Sequence, residues 1–378
     1  MTALTRTYKR HSYYRKLVDE DGWRFVPSKK GSPRTMFMNL PDGDMLPDCV
    51  LDILQATTTP IIQPIFEKHL ELDTAGSLVP PLNQHRILIS EPQMALNNSY
   101  ALVIAAFNHF DKTLGERVSQ ILSDSTRIEL TKVVTGEGRG YCDSPNQESK
   151  YARLRLSYDG TINDPVYLAH ELGHLLTCDF AQEAGYENRG TRMPGHTAEL
   201  PAMFSQIILY DYLMHGQSDP ILQNVAQQHF VGEMTRDLYR QQIAFANPAK
   251  PVLSQGEYER RIFAVLGHHE LALPSDIQML WPDSSYLHWH ISASTIAAGF
   301  YFSSLGKKPA IFDAMFKKGK DSDILDMFGA AGISTEQALS VFMVDAVQAV
   351  IKPLDDIYAA SPLRPVEADR LCQHRLVI

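Results

Sequence analysis

His170-Glu171-Leu172-Gly173-His174 sets two imidazoles four residues apart with a carboxylate between them. On an α-helix that spacing returns both histidines to one face, where their nitrogens can share one Zn2+ and the glutamate can reach the water that the metal activates. The flanking residues predict that helix. Ala152 to Tyr158 alternates apolar and polar side chains, the period of a strand with one buried face. Asp159-Gly160 makes a turn, and Asp164-Pro165 reads as an N-cap followed by proline at the first helical position. From Pro165 to about Asp179, Val166, Leu168, Ala169, Leu172, Leu175 and Leu176 form an apolar stripe that carries His170 and His174 with it. Strand, turn and metal helix follow in order, with the strand expected as an edge beside the metal, able to hold an extended chain by backbone pairing.

A hydrolytic zinc takes three protein ligands and keeps one position for water. No histidine follows His174 at short spacing, so a downstream carboxylate is required, and Asp179, Glu183, Glu187 and Glu199 are available. The first three follow the motif closely, on its own helix or on the link from Gly185 to Gly195. Glu199 stands 25 residues after His174, near the start of a second apolar run (Leu200, Met203, Phe204, Ile207, Ile208, Leu209). A returning antiparallel helix there can bring its carboxylate to the metal. Pro201 fits that helix only in its first turn, which places Glu199 at the mouth. His196, three residues earlier, reads either as a support for the ligands or, more simply, as a solvated histidine at a helix start.

Gly140-Tyr141-Cys142, the strand Tyr151 to Tyr158, Gly160-Thr161-Ile162-Asn163-Asp164 and Ala169 to His174 follow one another in a familiar order. The run resembles the oligoendopeptidase F and thimet oligopeptidase family of zinc peptidases. Gly190-Thr191 followed by Ala198-Glu199-Leu200-Pro201 resembles that family's third-ligand segment, although Ala202-Met203 stands where the family usually has Ser-Gln. More faintly, Phe107 to Ser123, the stretch from His290 through Ala297-Ala298-Gly299-Phe300-Tyr301, and Phe316 to Ile333 are similar to flanking helices of the family. The resemblance implies a zincin-like fold, Zn2+ held by His170, His174 and Glu199, and Glu171 as general base. The family's transition-state tyrosines do not fall cleanly here. Ile296, Phe300 and Ser303 stand where tyrosines are expected, and Tyr286, His288, His290 and Tyr301 compete as donors to a tetrahedral oxyanion. The plainer reading of that cluster is a packed helix with satisfied side chains.

Composition excludes several other classes. The 378 residues are 44% apolar and 21% charged, enough for a large core, and the net charge of −9 argues against a nucleic-acid partner. Cys49, Cys142, Cys178 and Cys372 form no C-x-x-C pair, so neither a disulfide framework nor a zinc ribbon is expected, and Cys142 reads as a small packed residue rather than a nucleophile. The longest apolar run, Tyr100 to Phe107, falls short of the roughly 18 residues of a membrane span. The basic start (Arg6, Lys9, Arg10, Arg15, Lys16) lacks the apolar core of a secretory signal, and a cytoplasmic location is expected.

Three regions are expected: an N-terminal arm and helical segment over 1–90, a zinc-peptidase-like catalytic domain over 91–360, and a tail over 361–378. Pro27, Pro33, Pro41 and Pro47 break the arm, apolar periodicity starts near Val50, and Pro80-Pro81 reads as a linker. Helices are predicted at about 92–112, 115–123, 165–180, 196–215, 218–245, 256–270, 285–305, 308–318, 322–330 and 335–358, with strands only in 128–158. The fold class is therefore mainly α, zincin-like, with a small β-sheet beside the metal helix. The expected activity is hydrolysis of an amide bond in a peptide or peptide-like molecule, with backbone contacts from Ala152 to Tyr158 and from Gly138 to Tyr141. The alternatives are non-proteolytic chemistry on a small metabolite by the same zinc site, and a binding protein that keeps the scaffold without catalysis.

Overall fold

The structure is a computed structural model that describes residues 2–6, 46–74, 94–132, 140–143, 151–158, 160–185, 195–245, 290–303, 305–318 and 323–360. The proline-broken arm, the Pro80-Pro81 linker, the helix expected over 256–270, Glu187, Tyr286, His288 and the tail lie outside those residues.

Helices dominate, as the apolar periodicities predict. In chain order they are α1 (Asp48–Thr74), α2 (Leu96–Phe110), α3 (Lys112–Ser123), α4 (Asn163–Glu183), α5 (Gly195–Asp211), α6 (Pro220–Phe245), α7 (Ser292–Phe302), α8 (Pro309–Phe312), α9 (Ile324–Ala330) and α10 (Glu336–Ala360). Wider π-type turns extend α5 through Tyr212–Gly216 and α8 through Asp313–Lys317. Between α3 and α4 lies one sheet of β1 (Ile128–Lys132), β2 (Gly140–Asp143) and β3 (Arg153–Tyr158), in the order β1-β3-β2. No helix among the described residues is long and apolar enough to cross a membrane.

The apolar periodicity that starts near Val50 belongs to one helix, α1, which runs through Pro60 and Pro64. Each proline removes a backbone hydrogen bond. Tertiary burial outweighs that cost, since Val50, Leu54 and Ile62 are buried against α10 and α6.

The sheet corrects the expectation for Ala152 to Tyr158. β3 is the central strand, pairing with β1 in parallel (Leu154 opposite Ile128) and with β2 antiparallel (Cys142 opposite Leu154). Its backbone groups are already used on both sides, so an extended chain cannot be added to it. The alternation is real, with Leu154 and Leu156 buried and Arg153 and Arg155 exposed. Period-2 patterning reports how many faces are buried, not how many neighbours a strand has. On the open face Arg155 reaches Glu129 on β1 at 3.3 Å and Asp143 on β2 at 2.9 Å, tying the three strands together.

Two details of α4 and α5 also differ. Asp164 is not the N-cap of α4; the helix starts at Asn163, and the Asp164 carboxylate accepts from the N–H groups of Gly160 at 2.6 Å and Thr161 at 3.1 Å. It thereby closes the preceding turn, in which Gly160 takes a φ of 83° that side chains disfavour. Pro201 lies in the second turn of α5, which starts at Gly195, so Glu199 sits inside the helix and not at its mouth.

α4 and α5 approach each other closely at Gly173. A Cβ there would fall 2.5 Å from Ala202 Cα and 2.7 Å from the Pro201 carbonyl oxygen. Both are backbone atoms, so relief requires moving a whole helix. Gly173→Ala is expected to cost about 1–3 kcal/mol of stability, read as a lower urea midpoint. An unchanged midpoint would show that the two helices slide apart freely.

The far end of α4 is tied to the sheet by charge. Arg127, just before β1, forks onto both Asp179 carboxylate oxygens at 2.9 Å, and its Nε donates to the Ala152 carbonyl at 2.9 Å. Arg117 from α3 adds a contact to Asp179 at 3.2 Å and another to Glu183.

Candidate metal centre

One residue type at i and i+4 puts His170 and His174 on the same face of α4, with ring centroids 5.0 Å apart and planes at 82°. The close α4–α5 approach brings Glu199 opposite them. His170 Nε2 lies 3.4 Å and His174 Nε2 3.7 Å from Glu199 Oε2. His290, in the turn that leads into α7, stacks on His170 with centroids 6.2 Å apart and places Nδ1 3.1 Å from the same Glu199 oxygen. The structure thus gathers His170, Glu171, His174, Glu199 and His290 in one place.

Other candidates stand elsewhere. Asp179 and Glu183 face Arg127 and Arg117 and are engaged by them. Tyr301 donates its hydroxyl to Asp211 Oδ2 at 2.6 Å, and its ring packs on Phe110 and Phe204. Asp211 is twelve residues beyond Glu199 on α5, roughly 18 Å along the axis, so Tyr301 serves the opposite end of that helix. The side chain of His196 lies outside the described residues, as Tyr286 and His288 do. Cys142 lies against the Cys178 thiol, which together with burial pushes its own thiol well above the ordinary range, so it offers no thiolate nucleophile.

Behind His170 runs a polar chain that the sequence reading did not single out. His170 Nδ1 is 3.2 Å from Gln206 Oε1, Gln206 Nε2 donates to Glu233 Oε2 at 2.5 Å, and the Tyr210 hydroxyl donates to the same oxygen at 2.9 Å. Gln206 was findable, being an amide seven residues after Glu199 in a stretch that is apolar but for Ser205. Glu233 on α6 had no sequence signal.

Burial and mutual charge divide the protonation states. Burial pushes His170 down, but Glu199 beside it outweighs this and raises it to about 9. Burial lowers His174 to about 4, and burial likewise lowers His290. Burial pushes Glu199 up, yet His290, His174 and His170 together hold it at about 2. Glu171, with burial as its main influence, is pushed up to about 7.

The donor set fits a divalent cation. His170, His174 and Glu199 each offer one ligand atom within 4.8 Å of the others. Tetrahedral zinc with bonds of about 2.1 Å holds its ligand atoms roughly 3.4 Å apart, close to the two imidazole–carboxylate distances here. Glu171 Oε2 is buried without a hydrogen-bond partner, and Glu199 Oε2, though three imidazole nitrogens lie within 3.7 Å of it, receives no well-aligned hydrogen bond. Such groups are costly unless something completes them, and a cation between two imidazoles and a carboxylate does so.

Among solved structures, the chain superposes on a protein from Chlamydophila abortus assigned as a peptidase, with a TM-score of 0.52 at 14% identity over 79% of this chain. An assigned oligoendopeptidase F matches with a TM-score of 0.54 at 13% identity over 84%, and one from Bacillus anthracis str. Ames with 0.52 at 13% over 92%. The fold is that of the oligoendopeptidase-type peptidases. The chain spans 57%, 59% and 61% of the lengths of these three structures. No family model matches the sequence, and no curated protein does. At such identities the oligoendopeptidase-type likeness speaks for the fold, and the chemistry has to be argued from the residues.

Proposed function

We propose that the protein is a zinc-dependent hydrolase that cleaves an amide bond in a peptide or peptide-like substrate. The observation that carries this reading is the convergence of His170, His174 and Glu199 on one point, with the unpartnered, buried Glu171 Oε2 on the same helix. Zn2+ held by those three residues would polarise the scissile carbonyl and lower the pKa of a water to about 7. Glu171 takes the proton of the attacking water at its free oxygen as the new C–O bond forms. The same carboxyl then gives that proton to the leaving nitrogen as the C–N bond breaks. Of the two candidate donors among the described residues, His290 stands beside the three ligands and would serve the developing oxyanion, whereas the Tyr301 hydroxyl is held by Asp211. With β3 occupied on both sides, the outer edge of β2 (Gly140–Asp143) is the backbone that would hold an extended substrate.

The test joins metal content to cleavage of a mixed peptide library. Wild type is expected to carry one zinc per chain and to cut; Glu199→Ala is expected to lose both. Cleavage by a zinc-free wild type would sink the reading. Stoichiometric zinc without peptide cleavage would leave the metal centre and move its chemistry to a small metabolite.

A further inference from the structure

His170 can offer a lone pair toward Glu199 from Nε2 only if its other ring proton sits on Nδ1. The neighbour of Nδ1 is the Gln206 side chain, at 3.2 Å. A glutamine amide does not by itself choose between the two arrangements, because it can present either its oxygen or its NH2. Here the choice is made one residue further on. Glu233 meets the other end of that amide at 2.5 Å, and a carboxylate only accepts, so the NH2 must face Glu233 and the carbonyl oxygen must face His170. Tyr210, fully buried, donates to the same Glu233 oxygen at 2.9 Å and holds the carboxylate in place.

We propose that Glu233 is a positioning residue of the metal centre: through Gln206 it fixes the orientation of an amide, and so the tautomer of His170 that leaves Nε2 free for the metal. This rests on the metal-centre reading above. The intervening amide has a chemical consequence. A carboxylate placed directly on Nδ1 would attract its proton and add negative charge to the ligand, whereas the amide passes on direction without taking the proton. The chain also makes α6 a participant in the site, since α4 supplies the imidazole, α5 the amide and α6 the carboxylate that decides between them.

The test measures zinc affinity of the full chain by competition with a chromogenic chelator. The panel is wild type, Glu233→Gln, Tyr210→Phe and the double variant Gln206→Glu/Glu233→Gln. Glu233→Gln lets the Gln206 amide turn, and zinc binding is expected to weaken about 10–100-fold. Tyr210→Phe keeps the Glu233 carboxylate and removes only one of the groups that hold it, and is expected to weaken zinc binding less. The double variant reverses the polarity of the pair, so that an acceptor faces His170 Nδ1 again, and affinity is expected to return toward wild type. A purely structural role would not be rescued by that exchange. Nitrogen NMR of zinc-loaded wild type, whose folding is not in question, should show His170 coordinated through Nε2 with Nδ1 protonated. Coordination through Nδ1, wild-type affinity in Glu233→Gln, or a double variant no better than the single one would each overturn the proposal. A wild type that binds no zinc removes the metal-centre reading and this proposal with it, whereas a zinc-loaded wild type with indifferent variants removes this proposal alone.

Discussion

Glu171→Gln is expected to lower turnover of a cleaved peptide by about 10²–10⁴-fold while leaving zinc content at the wild-type level. The substitution keeps the size and shape of the side chain and removes only its ability to take a proton. Glu171 follows His170 by one residue, about 100° round the helix from it, and its Oε2 is buried without a partner. Glu199, by contrast, is surrounded by His170, His174 and His290 and is the carboxylate a cation would use. The two glutamates are therefore separable: loss of one should stop chemistry, and loss of the other should release metal. Measuring kcat and bound zinc on the same preparation checks this. Wild-type turnover in Glu171→Gln would remove the proposed base, and loss of zinc from it would place Glu171 among the ligands.

The second large effect is expected further along α4, about a turn and a half beyond His174. Asp179→Ala should destabilise the fold by about 3–5 kcal/mol, because it leaves the Arg127 guanidinium buried beside an apolar methyl. The Asp179 side chain is 1% exposed and that of Arg127 8%, so water cannot take over the missing contacts. Arg127 also holds the Ala152 carbonyl, at the entry to β3, so the loss should loosen the sheet from α4 as well. Urea denaturation of wild type, Asp179→Ala and the double variant Arg127→Met/Asp179→Leu checks the cause. Replacing both charges should recover most of the loss, since the penalty lies in the orphaned charge and not in the missing attraction. A double variant as unstable as the single one would assign the effect to packing.

Legibility in the sequence followed the range of the interaction. His170 and His174 could be read because four residues is a helical repeat, and α4 and α5 because their apolar stripes recur at that period. Glu199 was reachable because it opens the next apolar run and because the segment resembles a known one. His290 stands 91 residues beyond Glu199, and nothing local says that its turn crosses back over α4. Tyr301, close to His290 in sequence, points to Asp211 instead, because eleven residues of helix carry it to the other end of α5.

The sequence by itself determined a mainly helical fold with a small sheet before α4, together with the motif that places two imidazoles and a carboxylate on that helix. Periodicity and spacing are local properties, and local properties are written in neighbouring residues. Only the tertiary structure decided that β3 is central and not an edge, that Asp164 closes a turn instead of capping a helix, that Gly173 is where two backbones meet, and that Glu233 stands behind His170. Each of those is a pairing between elements distant in the chain. Burial energy selects such pairings from many that the same patterns allow, and the patterns alone do not say which.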